Sequence, residues 1–201
     1  MKSSLHSLLI CASALATCAL LGGCQTKPAA SGSMPEMSAT PAAPAAPTPP
    51  AAPISTAPAG KVALKVVKVD SEETAGEDGK GANAVDGDPN TIWHTQWQDA
   101  SPECPHEIVI ELTPSATIKG FTYLPRPDDG ENGTIKDYEF YVSSDGQDFG
   151  QPVAKGELEN SKSLKTVTFA AKACRFVKLK AISEVNGAAW TSAAEIGVVT
   201  Q

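Results

Sequence analysis

The chain has 201 residues, with 16 Lys and Arg against 23 Asp and Glu, for a formal charge of −7. The basic residues are scattered rather than gathered on one face, which argues against a nucleic-acid partner, and an acidic surface disfavours anionic lipid. Once the N-terminal segments are set aside, the length that remains suits one domain with a single core.

Lys2 followed by the apolar run 8–21 makes a charged n-region and an h-region too short to span a bilayer, the pattern of a signal peptide over 1–23. The run ends at Leu21-Gly22-Gly23-Cys24, which resembles the lipobox of bacterial lipoproteins. That resemblance implies that Cys24 is acylated and becomes the new N-terminus. Several acyl chains on one Cys would anchor the protein firmly, since each buried CH₂ contributes roughly 0.8 kcal/mol and one chain alone is marginal. Gln25, rather than Asp, follows the Cys, which in the Gram-negative sorting pattern points to the outer membrane. Membrane contact is therefore expected through the lipid anchor only. Residues 24–60 are Ala, Pro, Ser and Thr with almost nothing that could enter a core, a disordered tether. In polyproline II, at roughly 3.1 Å per residue, it would lift a domain on the order of 100 Å from its anchor.

The module is expected over 61–201. Of five Cys, two leave with the signal and Cys24 takes the lipid, so only Cys104 and Cys174 reach the folded domain. In an oxidising compartment two such residues are expected to pair, the alternative being two separate buried thiols. The bridge would close a loop of 174 − 104 = 70 residues, a contribution of roughly 4 kcal/mol in the chain-entropy model.

Period-2 alternation predicts strands over 61–69 (KVALKVVKV), 107–112 (EIVIEL), 118–124 (IKGFTYL) and 137–143 (DYEFYVS). It predicts further strands over 164–169 (LKTVTF), 175–181 (RFVKLKA) and 195–199 (EIGVV). No stretch carries helical spacing over three turns. Short strands separated by Gly, Pro, Asp and Asn turns point to an antiparallel sandwich or barrel.

The blocks NAVDGDPNTIWHT, PHEIVIEL, IKGFTYLPR, IKDYEFYVSSDG, RFVKLKAISEVNG and WTSAAEI follow one another in this order. Together they resemble the coagulation factor 5/8 type C (discoidin) family, in its bacterial carbohydrate-binding branch, the family 32 carbohydrate-binding modules. The resemblance runs across nearly the whole module. It implies an all-β fold, an antiparallel jelly-roll sandwich of about eight strands, with no catalysis of its own and a sugar site in the loops at one end.

The stretch DGDPNTIWHTQW (86–97) then divides in two. In its first half, Asp86 and Asp88 alternate with Gly and Pro so that hard oxygen donors can converge on one point, which suits Ca²⁺ rather than zinc. The alternative is a plain Asx turn in which Asp86 caps backbone N–H groups. By resemblance the calcium ligands are the Asn83 carbonyl, Asp86, Asp88, Thr91 and, from the far end of the domain, Ala194 and Glu195. In the second half the resemblance places Trp93 in the core and gives His94 and Trp97 to the binding face. Arg126 and Asn132 fall where the family has its other polar sugar contacts. Trp190 is either a second stacking platform or a core Trp. By resemblance Glu77 and Asp78 lie in the loop where some relatives reach the sugar, while the composition of the run EETAGEDG (72–79) reads as solvated.

The leading expectation is a surface lipoprotein that binds terminal galactose or a related hexosamine glycan, with a structural calcium. The other is an envelope or protein-interaction lipoprotein that keeps the fold without binding sugar. An enzyme is not expected, because no Ser or Cys nucleophile has a visible partner and the carboxylates form no motif. A separate glycosidase or surface protein would be the partner that supplies chemistry.

Overall fold

The computed structural model describes residues 61–201. The segments expected to form a signal peptide and a tether, with Cys24, lie outside the described residues.

Eight strands and one 3₁₀ turn make up the domain: β1 (Ala63–Val69), the turn Gly81–Val85, β2 (Trp93–His94), β3 (His106–Leu124), β4 (Asp137–Ser143), β5 (Ala154–Glu157), β6 (Lys165–Ala181), β7 (Ser192–Ala193) and β8 (Glu195–Thr200). All pairings are antiparallel. Two strands are unusually long, and they build both layers. The first part of β3 pairs with β1 on one side and with the end of β6 on the other; β4 and then β5 complete that sheet. The second part of β3 lies between β8 and the beginning of β6. The register of the β3–β6 ladder shifts between Glu111 and Ala116, and this irregularity is where the two strands pass from one sheet to the other.

The sequence predicted separate strands over 107–112 and 118–124, and again over 164–169 and 175–181. Each pair is one continuous strand. Pro114 has no N–H to give to a ladder, and it sits inside the irregular stretch where no β6 residue pairs with β3, so it bends the strand without ending it. The four-residue β5 and the two-residue β2 and β7 carry too little alternation to be read from the chain.

The core lies between the layers. Phe121 of β3 stacks on Phe140 of β4 with ring centroids 4.3 Å apart, and Tyr138 meets Phe121 edge-on at 5.3 Å. Around them are Ile108, Ile110, Leu112, Ile118, Val177, Leu179 and Ile196, all buried. Trp93 is buried as expected, with its indole N–H donating to the Ser71 carbonyl at 2.9 Å. Tyr123 brings a hydroxyl into this core and satisfies it twice: it donates to the Ser192 carbonyl (3.0 Å) and accepts from the Ile135 amide (3.1 Å). Burial pushes this phenol well above its ordinary range, so it stays protonated and keeps both bonds. The two residues it ties lie at the ends of the loops that carry Arg126 and Trp190.

Cys104 and Cys174 are both free, which corrects the expected bridge. Cys174 stands opposite Ala116, at the bend, whereas Cys104 lies two residues before His106, which pairs with Ala181. Seven residues of β6 (181 − 174) separate those two levels, on the order of 20 Å at about 3.3 Å per residue. A disulfide needs Cα atoms within about 7 Å. Cys174 is instead a buried thiol pushed up to about 11, and Cys104 points its Sγ at the Ala189 carbonyl 3.5 Å away.

Candidate functional site

Four loops meet at one end of the sandwich and enclose a hollow of about 210 Å³ lined by Glu77, His94, Trp97, Arg126, Asn132 and Trp190. The four residues expected at the binding face and Trp190, left open between stacking platform and core, are therefore brought together, and Glu77 joins them from the acidic run that had been read as solvated.

The wall carrying Trp97 is built on a buried carboxylate. Glu73 has no exposed surface, and its two oxygens accept four backbone N–H groups: Ala75 (2.7 Å) and Gly76 (2.8 Å) on one, Trp97 (2.8 Å) and Gln98 (2.8 Å) on the other. These amides, Trp97 first, hold the carboxyl down to about 2. Glu73 thus fastens the 73–76 turn to the segment 97–98. Trp97 is 38% exposed, its indole N–H donating to Glu77 Oε1 at 2.9 Å. Gly76 lies directly against its ring.

His94 enters through the short β2–β7 ladder, opposite Ser192, which sets it beside the loop bearing Trp190; their ring centroids are 6.4 Å apart. Its Nδ1 is 2.7 Å from the Thr95 carbonyl, which can only accept, so Nδ1 carries the proton and Nε2 is left as an acceptor. Burial first, and then the Arg126 charge, lower its pKa, while the Thr95 carbonyl and Glu77 oppose them. The ring is therefore neutral at ordinary pH.

Arg126 is held by Asp128 in a bidentate pair, Nε–Oδ1 and Nη2–Oδ2 both 2.6 Å, with Nη1 toward the Asn132 carbonyl at 3.4 Å. Its side chain is only 14% exposed, so the guanidinium is aimed rather than free to swing. Asn132 is fixed through its own carbonyl, which accepts from Ser192 Oγ at 2.9 Å. The next residue, Gly133, has φ +81 and approaches Ser192 so closely that a Cβ would fall 2.6 Å from its amide nitrogen, which only glycine permits. Trp190 is half-buried, and its indole N–H donates to Ser101 Oγ at 3.0 Å.

The expected metal ligands are arranged as follows. Asp86 accepts the Asp88 amide (2.8 Å) on one oxygen and faces the Thr91 hydroxyl (2.8 Å) with the other, and Asp88 accepts from the Asn90 amide at 2.9 Å. This is the Asx-turn geometry that the sequence left open beside the metal. From the far end of the chain Glu195 brings a carboxyl to the same place. Burial raises its pKa, the charges of Asp86 and Asp88 raise it further, and its Oε1 is buried with no hydrogen-bond partner. Among the described residues no three acidic, His or Cys side chains form a cage by themselves, so a cation here would need backbone carbonyls such as those of Asn83 and Ala194. An orphaned carboxylate oxygen facing two other carboxylates fits a hard divalent ion.

Two residues that matter to the site escaped the sequence: Glu73 and His106. Glu73 was hidden in a run of acids whose composition reads as solvent-facing, a reading that also outweighed the resemblance at Glu77. His106 is a lone His at the start of a strand, with its partners 36 and 83 residues away.

A two-layer antiparallel sandwich with a pocket of indoles and polar groups on its loops defines a discoidin-like module. The F5/8 type C domain family matches residues 67–196, and the chain belongs to that family. A Clostridium perfringens CBM32 solved in complex with GalNAc-β-1,3-galactose is 40% identical, with a TM-score of 0.62, covering 68% of this chain and 95% of that one. The family 32 module of C. perfringens NanJ, in complex with galactose, is 31% identical with a TM-score of 0.58, covering 67% of this chain and 92% of that one. A Micromonospora viridifaciens sialidase is 39% identical over 139 residues, 69% of this chain. A Gibberella zeae galactose oxidase is 37% identical over 148 residues, 72% of this chain. The chain spans only 21% of the length of either enzyme.

Proposed function

We propose that the domain binds a terminal galactose or a related hexosamine in the 210 Å³ pocket and catalyses nothing itself. The observation that carries the reading is the convergence of two indoles with His94, Arg126, Asn132 and Glu77 on one hollow of roughly monosaccharide size. Trp97 offers a flat apolar surface to the ring's C–H face, with Trp190 as the opposite wall. The polar groups divide the hydroxyls between them. Arg126 donates, His94 Nε2 and Glu77 accept, and the Asn132 amide does both. Arg126 and His94 together suit the axial O4 that distinguishes galactose from glucose, one giving and one taking a hydrogen bond. The carbohydrate ligands of the two C. perfringens modules support this class of ligand.

In the same reading Asp86, Asp88, Thr91 and Glu195, with the Asn83 and Ala194 carbonyls, hold a structural calcium that joins the first loops to the last strand. Its chemistry is that of a clasp. Cys24 carries the lipid that keeps the protein at the bacterial envelope, with the outer membrane as its destination. Isothermal titration with galactose, glucose and N-acetylgalactosamine, with a glycan array beside it, tests the proposal. Binding restricted to galacto-configured sugars supports it. Silence across the array favours an envelope or protein-interaction role for the same fold.

A further inference from the structure

His106 has no exposed surface and lines no part of the pocket, yet both of its ring nitrogens face acceptors. Nδ1 is 2.7 Å from Asp70 Oδ2, and Nε2 is 2.8 Å from the Ala189 carbonyl and 3.2 Å from the Pro102 carbonyl. A carbonyl cannot donate, so Nε2 must carry a proton, and a carboxylate on the other side asks for a second. The geometry is that of an imidazolium. What it grips is informative: Ala189 precedes Trp190 and Pro102 follows Ser101, and Trp190 donates its indole N–H to Ser101 Oγ at 3.0 Å. One buried cation therefore pulls together the two backbone segments whose side chains form the Trp190 wall.

We propose that His106 is a positioning residue that holds Trp190 in place for the ligand, so that the Trp190 wall loosens and sugar affinity falls as pH rises and the imidazolium, losing one proton, must give up one of its two grips. The sugar part rests on the proposed function; the positioning part does not.

The groups around His106 fix the direction of this dependence. Asp70, at the end of β1, is the one carboxylate in contact, and its second oxygen is held by the Glu107 amide at 2.8 Å. Ala181, opposite on β6, carries no charge. Burial alone would lower the imidazole pKa, but Asp70 and the two carbonyls outweigh it, and the folded value lies above the ordinary 6.5. A raised value means that the stabilised, doubly donating form is fully present below pH 6.5 and is lost only as pH climbs through the folded pKa. Cys104 is the thiol on this loop, its Sγ 3.5 Å from the Ala189 carbonyl, and the charges of Glu103, Glu184 and Asp70 reach it. Burial raises the thiol as well, so it is a second donor that alkaline pH could remove, and the experiment must separate the two.

The test follows galactose affinity from pH 6 to 10 in the wild type, Asp70→Asn, His106→Gln and Cys104→Ala, together with the NMR signal of the Trp190 indole N–H and hydrogen exchange over 186–191. The wild type should lose affinity about 2- to 12-fold across one step as pH rises, the range set by a single aromatic contact. Faster exchange over 186–191 should accompany the loss. Asp70→Asn removes the counter-charge and should move that step to lower pH while leaving the loop ordered below it. His106→Gln should be loose and pH-independent throughout, whereas Cys104→Ala should keep the step. A step that stays in place in Asp70→Asn, or vanishes in Cys104→Ala, overturns the proposal. If the wild type binds no galactose, the proposed function fails, and the indole signal and exchange rates still decide whether His106 positions Trp190.

Discussion

Gly76 touches no ligand-facing polar group, yet replacing it with Ala should damage the site selectively. A Cβ built there would lie 2.6 Å from Trp97 Cη2, 2.7 Å from Cζ2 and 3.1 Å from Gln98 Oε1. Carbon atoms rest at about 3.5 Å or more, so the indole and the new methyl must part by roughly 0.9 Å (3.5 − 2.6). Neither backbone can retreat, because the Gly76 and Trp97 amides are both bonded to the Glu73 carboxylate, each at 2.8 Å. The ring must swing instead, leaving Glu77 Oε1 and spoiling the flat wall. Losing a stacking contact costs about 0.5–1.5 kcal/mol, which is about 2- to 12-fold in Kd. Stability should hardly change, since Trp97 is 38% exposed and little buried area is lost. The Gly→Ala change also restricts the unfolded chain in the stabilising direction, by about 0.4–1 kcal/mol.

The assay is galactose titration of wild type, Gly76→Ala, Trp97→Ala and the double variant, with melting curves for each. In the double-mutant cycle Gly76→Ala should cost nothing once the indole is gone. An unchanged Kd in the single variant, or an equal loss in the Trp97→Ala background, refutes the reasoning.

Three further outcomes are expected. Arg126→Ala should weaken galactose binding about tenfold to a hundredfold, the loss of a charge-assisted hydrogen bond of roughly 1.5–3 kcal/mol, while circular dichroism stays native; wild-type affinity in the folded variant would place the sugar on other loops. Because His94 accepts through a neutral Nε2 and its pKa is lowered, affinity should hold at neutral pH and fall as pH drops below 6.5 through the folded value; tighter binding on acidification, measured by titration down to pH 4.5, would mean that an imidazolium donates instead. Calcium at a hundredfold excess over its Kd should stabilise the fold by about 2.7 kcal/mol, raising Tm on the order of 5–10 °C; superimposable melting curves in EDTA and in calcium would remove the clasp.

The sandwich was legible because a half-buried strand must alternate, and DYEFYVS does so through most of β4, with Tyr138 and Phe140 buried between the half-buried Asp137, Glu139 and Tyr141. What alternation cannot show is where a strand crosses between sheets. TPSAT looks like a break, and only the ladder shift between Glu111 and Ala116 makes it a bend inside β3. The pairing of Cys104 with Cys174 failed for a related reason. Counting thiols in an oxidising compartment says how many could pair, while the β3–β6 register decides which ever meet. His94, Trp97, Arg126, Asn132 and Trp190 were legible through the order and spacing of family blocks and not through their own chemistry. Glu73 had no such help: nothing in EETAGEDG distinguishes the one carboxylate that is turned inward onto four amides from its solvated neighbours.

That inward carboxylate shows what kind of binding site the loops can support. Single-sugar recognition typically yields only about −4 to −5.5 kcal/mol, and ordering each mobile side chain on binding would consume about 0.5–1.5 kcal/mol of it. A pocket assembled from four free loops would have nothing left. Here each loop is already fastened from beneath by a group that the sugar never meets. Glu73 ties the turn after β1 to Trp97, His106 draws the Pro102 and Ala189 carbonyls together, and Tyr123 bridges Ile135 and Ser192. Two of these three fasteners are buried charged groups, each with its hydrogen-bonding capacity met by amides, carbonyls or a counter-charge, which is the condition under which burying them is tolerable. The rigidity that lets a weak ligand bind is therefore held in the layer below the pocket, and substitutions there should alter affinity without altering which sugar is preferred.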